Sequence, residues 1–352
     1  MRKIGRFFLV LLLLGGAVPA APADNWWVGA AIRHMKWGYI DRAGQMVIAP
    51  QFEDVLSFRG GLAAVEAGGK RGYIDRSGKI VVAPRYRDTR GFAEGLALVR
   101  GETFGFIDQK GNLVLEPRLE VSSNFSQGLA PVKAGGKWGY LDKNGKIVIA
   151  PQFDAAEPFA EGLAPVGVGG KKGFIDQSGK MVIAPRFDNT WGFSQGLAAV
   201  KIAGKWGYID KTGNIVIQPQ FYEVGAFADG LAKVQPEMKS GQGFIDLTGK
   251  MVIPPQLHWA YQFSEGLAAV QTEPASGYAY IDKTGVMVLK GPYWAPGDFS
   301  EGLARVMIDG KEGYIDKTGQ LVIPAQFDDA KPFSEGLAAV GFKVPAPKPD
   351  KK

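Results

Sequence analysis

The chain writes one segment over and over. "GKWGYLDKNGKIVIAPQFD" at residues 136–154 returns as "GKWGYIDKTGNIVIQPQFY" at 204–222 and as "MKWGYIDRAGQMVIAPQFE" at 35–53. With the aspartate before each "xxG" turn as origin, nine copies fall at Asp41, Asp75, Asp108, Asp142, Asp176, Asp210, Asp246, Asp282 and Asp316, spaced 33 to 36 residues apart. A period of this length marks an array of stacked supersecondary units, because one such unit cannot bury its apolar face alone.

Several offsets are constant in all nine copies: Gly at +3, Phe at +17, Gly-Leu-Ala at +20 to +22 and Val at +24. All length variation falls between that Val and the next Asp, in one freely projecting loop, so the rest is held by packing on both sides. "GYID" running through "KTG" into "KIVI" reads as a hairpin with a bulge at the glycine. The aspartate side chain can bond the backbone N–H groups of its own turn. "LAAV" supplies a third strand, "APQFD" ends the hairpin, and "PFSEG" is a turn. With 49 glycines and 22 prolines and no 3.6-residue period, a helical repeat is excluded.

The fold class is therefore all-β: nine tandem three-stranded meanders of about 34 residues. Two arrangements stay open, a closed β-propeller and an open solenoid or superhelical stack. "VGAAI" at residues 28–32 reads as a tenth "LAAV"-like strand for nine hairpins. An unmatched end strand suits the cap of an open stack, which is the arrangement expected.

The first 23 residues, basic "MRKIGR", apolar "FFLVLLLLGGAV" and small "PAAPA", have the pattern of a secretory signal peptide, with cleavage expected after Ala23 or Ala20. The apolar stretch is too short for a transmembrane span, which needs about 20 residues. With no cysteine there is no lipoprotein anchor, disulfide or thiolate metal site. The domain plan is a leader at 1–23, the repeat array at 24–341, and a basic, proline-rich, disordered tail at 342–352. Secretion to the periplasm or beyond is expected. The net charge of +6 resides in the leader and the tail; without them 34 basic residues face 34 acidic ones. No phosphate-binding surface survives, and no nucleic-acid partner is expected.

"KWGYIDKTG", "VIxPQFD" and "FSEGLAAV" resemble the bacterial WG-repeat family over nearly the whole mature chain. The resemblance implies a β-rich, exported or surface-linked repeat scaffold and no reaction. Trp precedes Gly in only three copies, Gly becomes Ala279 in one, and "GPYW" replaces "PQF" near Pro292.

The recurrent aspartates read as turn caps, since calcium needs several oxygens on one ion and "DKTG" offers one carboxylate beside a lysine. The acid of "EG" is Gly60, Gln127 or Gln195 in some copies, which fits a turn and not paired-carboxylate glycosidase chemistry. No enzyme activity and no cofactor are expected. Four residues before the Asp, the copies hold Trp, Arg, Phe, Lys, Gln, Tyr or Glu. Such tolerance suggests an exposed rim position, where Trp37, Trp138 and Trp206 either cover the neighbouring repeat or, as candidate ligand-binding residues, stack on sugars or peptides. Trp26, Trp27, Trp191, Trp259 and Trp294 read as caps or local packing. The expected function is an exported, non-catalytic scaffold for an envelope protein or polymer, with a cell-wall polysaccharide (peptidoglycan) module using the tryptophan row as the alternative.

Overall fold

A computed structural model describes residues 35–116 and 119–344. The expected leader, Trp26, Trp27, the strand at 28–32 and residues 345–352 of the expected tail lie outside the described residues. Phe342 and Lys343, expected in the tail, belong to the last strand, Leu337–Lys343.

Strands β1 (Met35–Asp41) and β2 (Met46–Phe52) form the first hairpin. Then come β3 (Asp54–Val55), β4 (Leu62–Ala67), β5 (Lys70–Asp75) and β6 (Ile80–Tyr86), which make one antiparallel sheet in that order. This four-stranded unit is the blade. The expected three strands are corrected to four: the segment after "PQF" bonds back onto β4. Glu53 N donates to Glu66 O (2.8 Å), Asp54 and Val55 pair with Glu66 and Val65, and Leu56 N donates to Ala64 O (2.8 Å). Two residues are too short to show a period. "APQF" also lies inside β6-type strands rather than ending them. Proline is tolerated there because that strand is a sheet edge and needs no donor on its free side.

The turn chemistry follows the sequence reading. Asp75 Oδ1 accepts Ser77 N (2.9 Å) and Lys79 N (3.1 Å), while Gly78 takes φ +85°, open to glycine at no steric cost. Gly72 is needed for a different reason. A Cβ there would stand 2.3 Å from Val82 O of the facing strand.

The array is closed. β1 pairs with Leu337–Lys343 through seven consecutive residues, Met35↔Lys343 to Asp41↔Leu337, and the sheet is completed by β2 and Asp329–Ala330. The first and last copies thus share one blade, and the chain is a nine-bladed β-propeller. This overturns the open stack. Among the described residues β1–β2 has no "LAAV" strand of its own and the last "LAAV" strand has no hairpin, so each supplies what the other lacks. The seam repeats the other junctions: Ser334 Oγ donates to Phe58 O (2.7 Å), as Ser126 does to Phe159 O (2.7 Å). Numbering blades from β3–β6, eight sheets have four strands among the described residues. The eighth blade has three, its fourth reduced to the single bridge Trp294↔Met307.

Between blades sits the core. The constant Phe at +17 meets the aromatic two residues before the Asp in every copy, with centroids 4.6–5.1 Å apart, from Tyr39–Phe58 to Tyr314–Phe333. At one end of the strands the "EG" acids form a circumferential chain. Gly128 N donates to Glu94 (3.0 Å), Gly196 N to Glu161 (3.0 Å), and across the seam Gly61 N to Glu335 (2.9 Å). These side chains serve the turn, as the sequence suggested.

Candidate interaction surface

The loops between β4- and β5-type strands emerge at the opposite end of each blade. In blades one, four, five and nine an acid just before the short strand locks this loop. Glu53 accepts Gly68 N (3.1 Å) and Gly69 N (3.0 Å), and these backbone bonds, Gly69 first, hold its carboxyl below the usual range. Asp154 accepts Gly169 N (2.8 Å) and pairs with Lys137; Asp188 pairs with Lys171 (2.6 Å) and Asp328 with Lys311 (2.8 Å).

Blades two and three have Arg87 and Leu119 at this place. Blades six to eight have Tyr222, His258 and Tyr293, and the residue after it is Glu223, Trp259 and Trp294. Register fixes the equivalence: Trp259 faces Gln271 and Trp294 faces Met307, as Asp54 faces Glu66. The loops of blades six and seven are longer and lock themselves instead. Gln235 Nε2 donates to Ser240 O (3.0 Å), Gln271 Nε2 to Ser276 O (2.5 Å), and Ser276 Oγ to Glu273 O (2.8 Å).

The result is an apolar sector on this face. Tyr222 (42%), Met238 (59%), Trp259 (44%), Trp294 (48%) and Ile308 (36%) are exposed on consecutive blades, beside the Lys205–Glu237 ion pair (3.1 Å). Trp259 is backed by Lys233, whose Nζ lies 4.9 Å from the ring centroid and donates to Ala260 O (3.1 Å). Burial pulls that ammonium's pKa down. The contact fixes the indole. Beside Trp294 an open cleft of about 430 Å³ is lined by Pro292, Met307, Ile308, Asp309 and Gly310. Aromatic residues and methionine are enriched at protein interfaces and charged residues are depleted at their centres.

The expected tryptophan row is corrected. Trp37 (3%) and Trp206 (8%) are buried and Trp138 is half-buried. Trp206 packs on Trp191 (centroids 5.3 Å), and Lys331, Lys133 and Lys201 lie over Trp37, Trp138 and Trp206 at 5.3, 5.6 and 5.7 Å. Variability did not mean exposure, because each polar occupant of this inter-blade position brings its own partner. Gln242 Oε1 accepts Ala260 N (2.8 Å), Arg71 pairs with Glu66 (3.2 Å), Lys172 with Glu157 (3.7 Å) and Glu312 with Arg305 (3.3 Å). Among the described residues the exposed tryptophans are Trp259 and Trp294, two of the five that the sequence reading took as caps or local packing. Their signal was present as a tryptophan in place of an acid or small residue in consecutive copies, beside the two lengthened loops.

Glu312 gives this position a pH signature. Its side chain is 5% exposed, and burial pushes its carboxyl up to about 7 although Arg305 pulls the other way. Folding raises this pKa above the unfolded value of about 4.3. Its contribution is therefore complete below about pH 4.3 and is lost as pH rises towards 7. Glu312→Gln should remove that slope. The stability difference between variant and parent should grow in the variant's favour by about 2–3 kcal/mol from pH 4.5 to 7.5, read by urea unfolding at each pH. A pH-independent difference would show that the carboxyl titrates normally.

A closed ring of antiparallel four-stranded sheets defines a β-propeller repeat scaffold. Nine consecutive segments, 37–70, 72–100, 104–138, 138–171, 173–206, 206–235, 243–273, 278–311 and 313–341, match the WG containing repeat, and the chain belongs to the WG-repeat family. No curated protein matches it. Among solved structures it is similar to a eukaryotic initiation factor at 11% identity and a TM-score of 0.59, over 88% of this chain and 98% of that one. At that identity the likeness shows the propeller fold alone. Citrobacter koseri AztD (14% identity, TM-score 0.42, 89% and 99% covered) and virginiamycin B lyase from Staphylococcus aureus (13%, 0.36, 68% and 96%) are more distant in shape and carry no argument.

Proposed function

We propose that this protein is an exported, non-catalytic propeller that docks an envelope protein through the loop face of blades six to eight. The observation that carries the reading is the run of exposed aromatic side chains on consecutive blades, Tyr222, Trp259 and Trp294, the two tryptophans standing where other blades have acids or small residues. Export rests on the leader-like residues 1–23. Among the described residues no helix is long and apolar enough to cross a membrane. The glycan alternative used Trp37, Trp138 and Trp206 as an exposed row, and the burial of Trp37 and Trp206 supports the protein-docking reading over it.

The double variant Trp259→Ser, Trp294→Ser should keep the parent's melting temperature within a few degrees, because both rings are about half exposed. A partner isolated by photo-crosslinking from position 238 should then bind the purified variant at least tenfold more weakly than the parent, since large aromatics carry most interface energy. Unchanged affinity would overturn the reading. Equal retention of parent and variant by purified peptidoglycan, with no protein crosslink, would return it to a polymer-binding scaffold. Fractionation of cells with and without residues 1–23 tests export.

A further inference from the structure

The chain's two ends leave the ring at this same loop face, in the ninth blade. Asp328 fixes where. One carboxylate oxygen accepts the Lys343 backbone N–H (2.9 Å) and the other the Lys311 ammonium (2.8 Å). Lys311 directly follows Asp309 and Gly310, which wall the cleft beside Trp294. The chain therefore departs beside that cleft, one carboxylate away from its wall. Residues 344–352, "VPAPKPDKK", carry three prolines and three lysines. Lys311 is already engaged by Asp328, whereas the exposed Asp309 stands at the rim of a cleft whose other walls are Pro292, Trp294, Met307 and Ile308.

We infer that the protein's own proline-rich tail, residues 344–352, docks in the cleft beside Trp294 and covers one end of the interaction surface. Proline-rich segments hold an extended polyproline II form at little entropic cost and fit aromatic-lined grooves. Nine residues in that form reach about 28 Å, enough to cross a neighbouring blade. The prolines lie on the Trp294 side and the lysines meet the Asp309 carboxylate. A tether this short gives an effective concentration in the mM range, so a weak intrinsic contact is sufficient to keep the cleft covered. Docking of the tail stands on the cleft itself; only its consequence for a partner rests on the function proposed above.

The test uses the chain ending at Val344 and a fluorescein-labelled VPAPKPDKK peptide, with anisotropy as the readout. The truncated protein should bind the peptide at least tenfold more tightly than the full chain, in which the tethered tail competes. Trp294→Ala in the truncated protein should weaken binding at least tenfold. Asp309→Lys should weaken it too, and a peptide carrying Glu in place of Lys348 should restore it, a rescue that loss of folding cannot mimic. No binding to the truncated protein, equal binding to both chains, or indifference to the charge swap would overturn the inference. So would a difference between the two chains that appears only at high protein concentration, which would assign the cleft to the tail of a second copy, or displacement of the labelled peptide by the 24–34 peptide and not by unlabelled VPAPKPDKK. If the tail result holds while the isolated partner ignores Trp259 and Trp294, the proposed function fails and the tail assignment stands.

Discussion

A chain ending after Gly336 should lose at least about 5 kcal/mol of stability, and its unfolding should no longer be a single sharp transition. The missing strand, Leu337–Lys343, pairs with β1 along its whole length. It buries Leu337, Ala338, Ala339 and Val340 between blades, and burying a Leu and a Val alone is worth about 1.5–3 kcal/mol each. Its loss also strips one side of β1, where Trp37 and Tyr39 are buried. In an open array, shortening by one terminal strand would cost a local cap and leave the remaining units near their original stability. In the ring it exposes both sides of one junction. The chain ending at Val344 keeps the strand and serves as the control. Urea unfolding of the two truncations should separate them clearly. Melting of the shorter one within about 2 °C of the control would mean that the seam carries no load.

Local chemistry was legible in the sequence and closure was not, for a physical reason. The Asp75 turn, the Gly at φ +85° and the Tyr140–Phe159 contact are made by residues within one copy or the next, so a period reveals them. The seam joins Tyr39 to Ala339, and the strands that meet there look like every other strand of their type. Nothing local distinguishes a strand that pairs with its neighbour from one that pairs across the ring. Constancy and burial also came apart. The second residue of the edge strand is Val in every copy, yet Val47 is 43% exposed and Val148 40%, because an edge strand favours a β-branched side chain even when half of it faces solvent. The position of Trp37, by contrast, varies from Trp to Glu and is buried in both Trp37 and Glu312. Pairwise comparison of copies would have shown more. Glu94, Glu161 and Glu265 in the "EG" turn each meet a lysine of the neighbouring blade, Lys143, Lys211 and Lys317. Where the turn has Gln127 instead, the facing residue is Gln177, bonded to its backbone carbonyl (3.1 Å). The same comparison would have marked Trp259 and Trp294 as occupants of a place other blades give to acids or small residues.

Phe159→Ala in the fourth blade should destabilise the protein by about 3–5 kcal/mol. Phe159 is 1% exposed and lies in a cluster shared by two blades, with Tyr140, Ile149 and Phe153 from one and Ala164, Val166 and Ile175 from the other. Removing the ring leaves a cavity that neither sheet can close, because each is held in register by its own ladder. The partner ring offers a sharper comparison. Tyr140 Oη donates to Glu157 O (2.7 Å), and each of the six copies with tyrosine at this offset makes the same bond, as in Tyr73 to Arg90 O (2.7 Å) and Tyr314 to Lys331 O (2.7 Å). Burial raises these phenols' pKa, so they remain donors throughout the neutral range. Three copies carry Phe106, Phe174 and Phe244 instead and still stack on their phenylalanines at 4.6–5.0 Å. Tyr140→Phe keeps the ring contact and removes one hydrogen bond, so it should cost only about 0.5–1.5 kcal/mol. Urea unfolding of the two variants should therefore differ by at least about 1.5 kcal/mol, with Phe159→Ala the weaker protein. Equal losses would mean that the hydroxyl bond, and not the packing of one blade's aromatic against the next, holds neighbouring blades together.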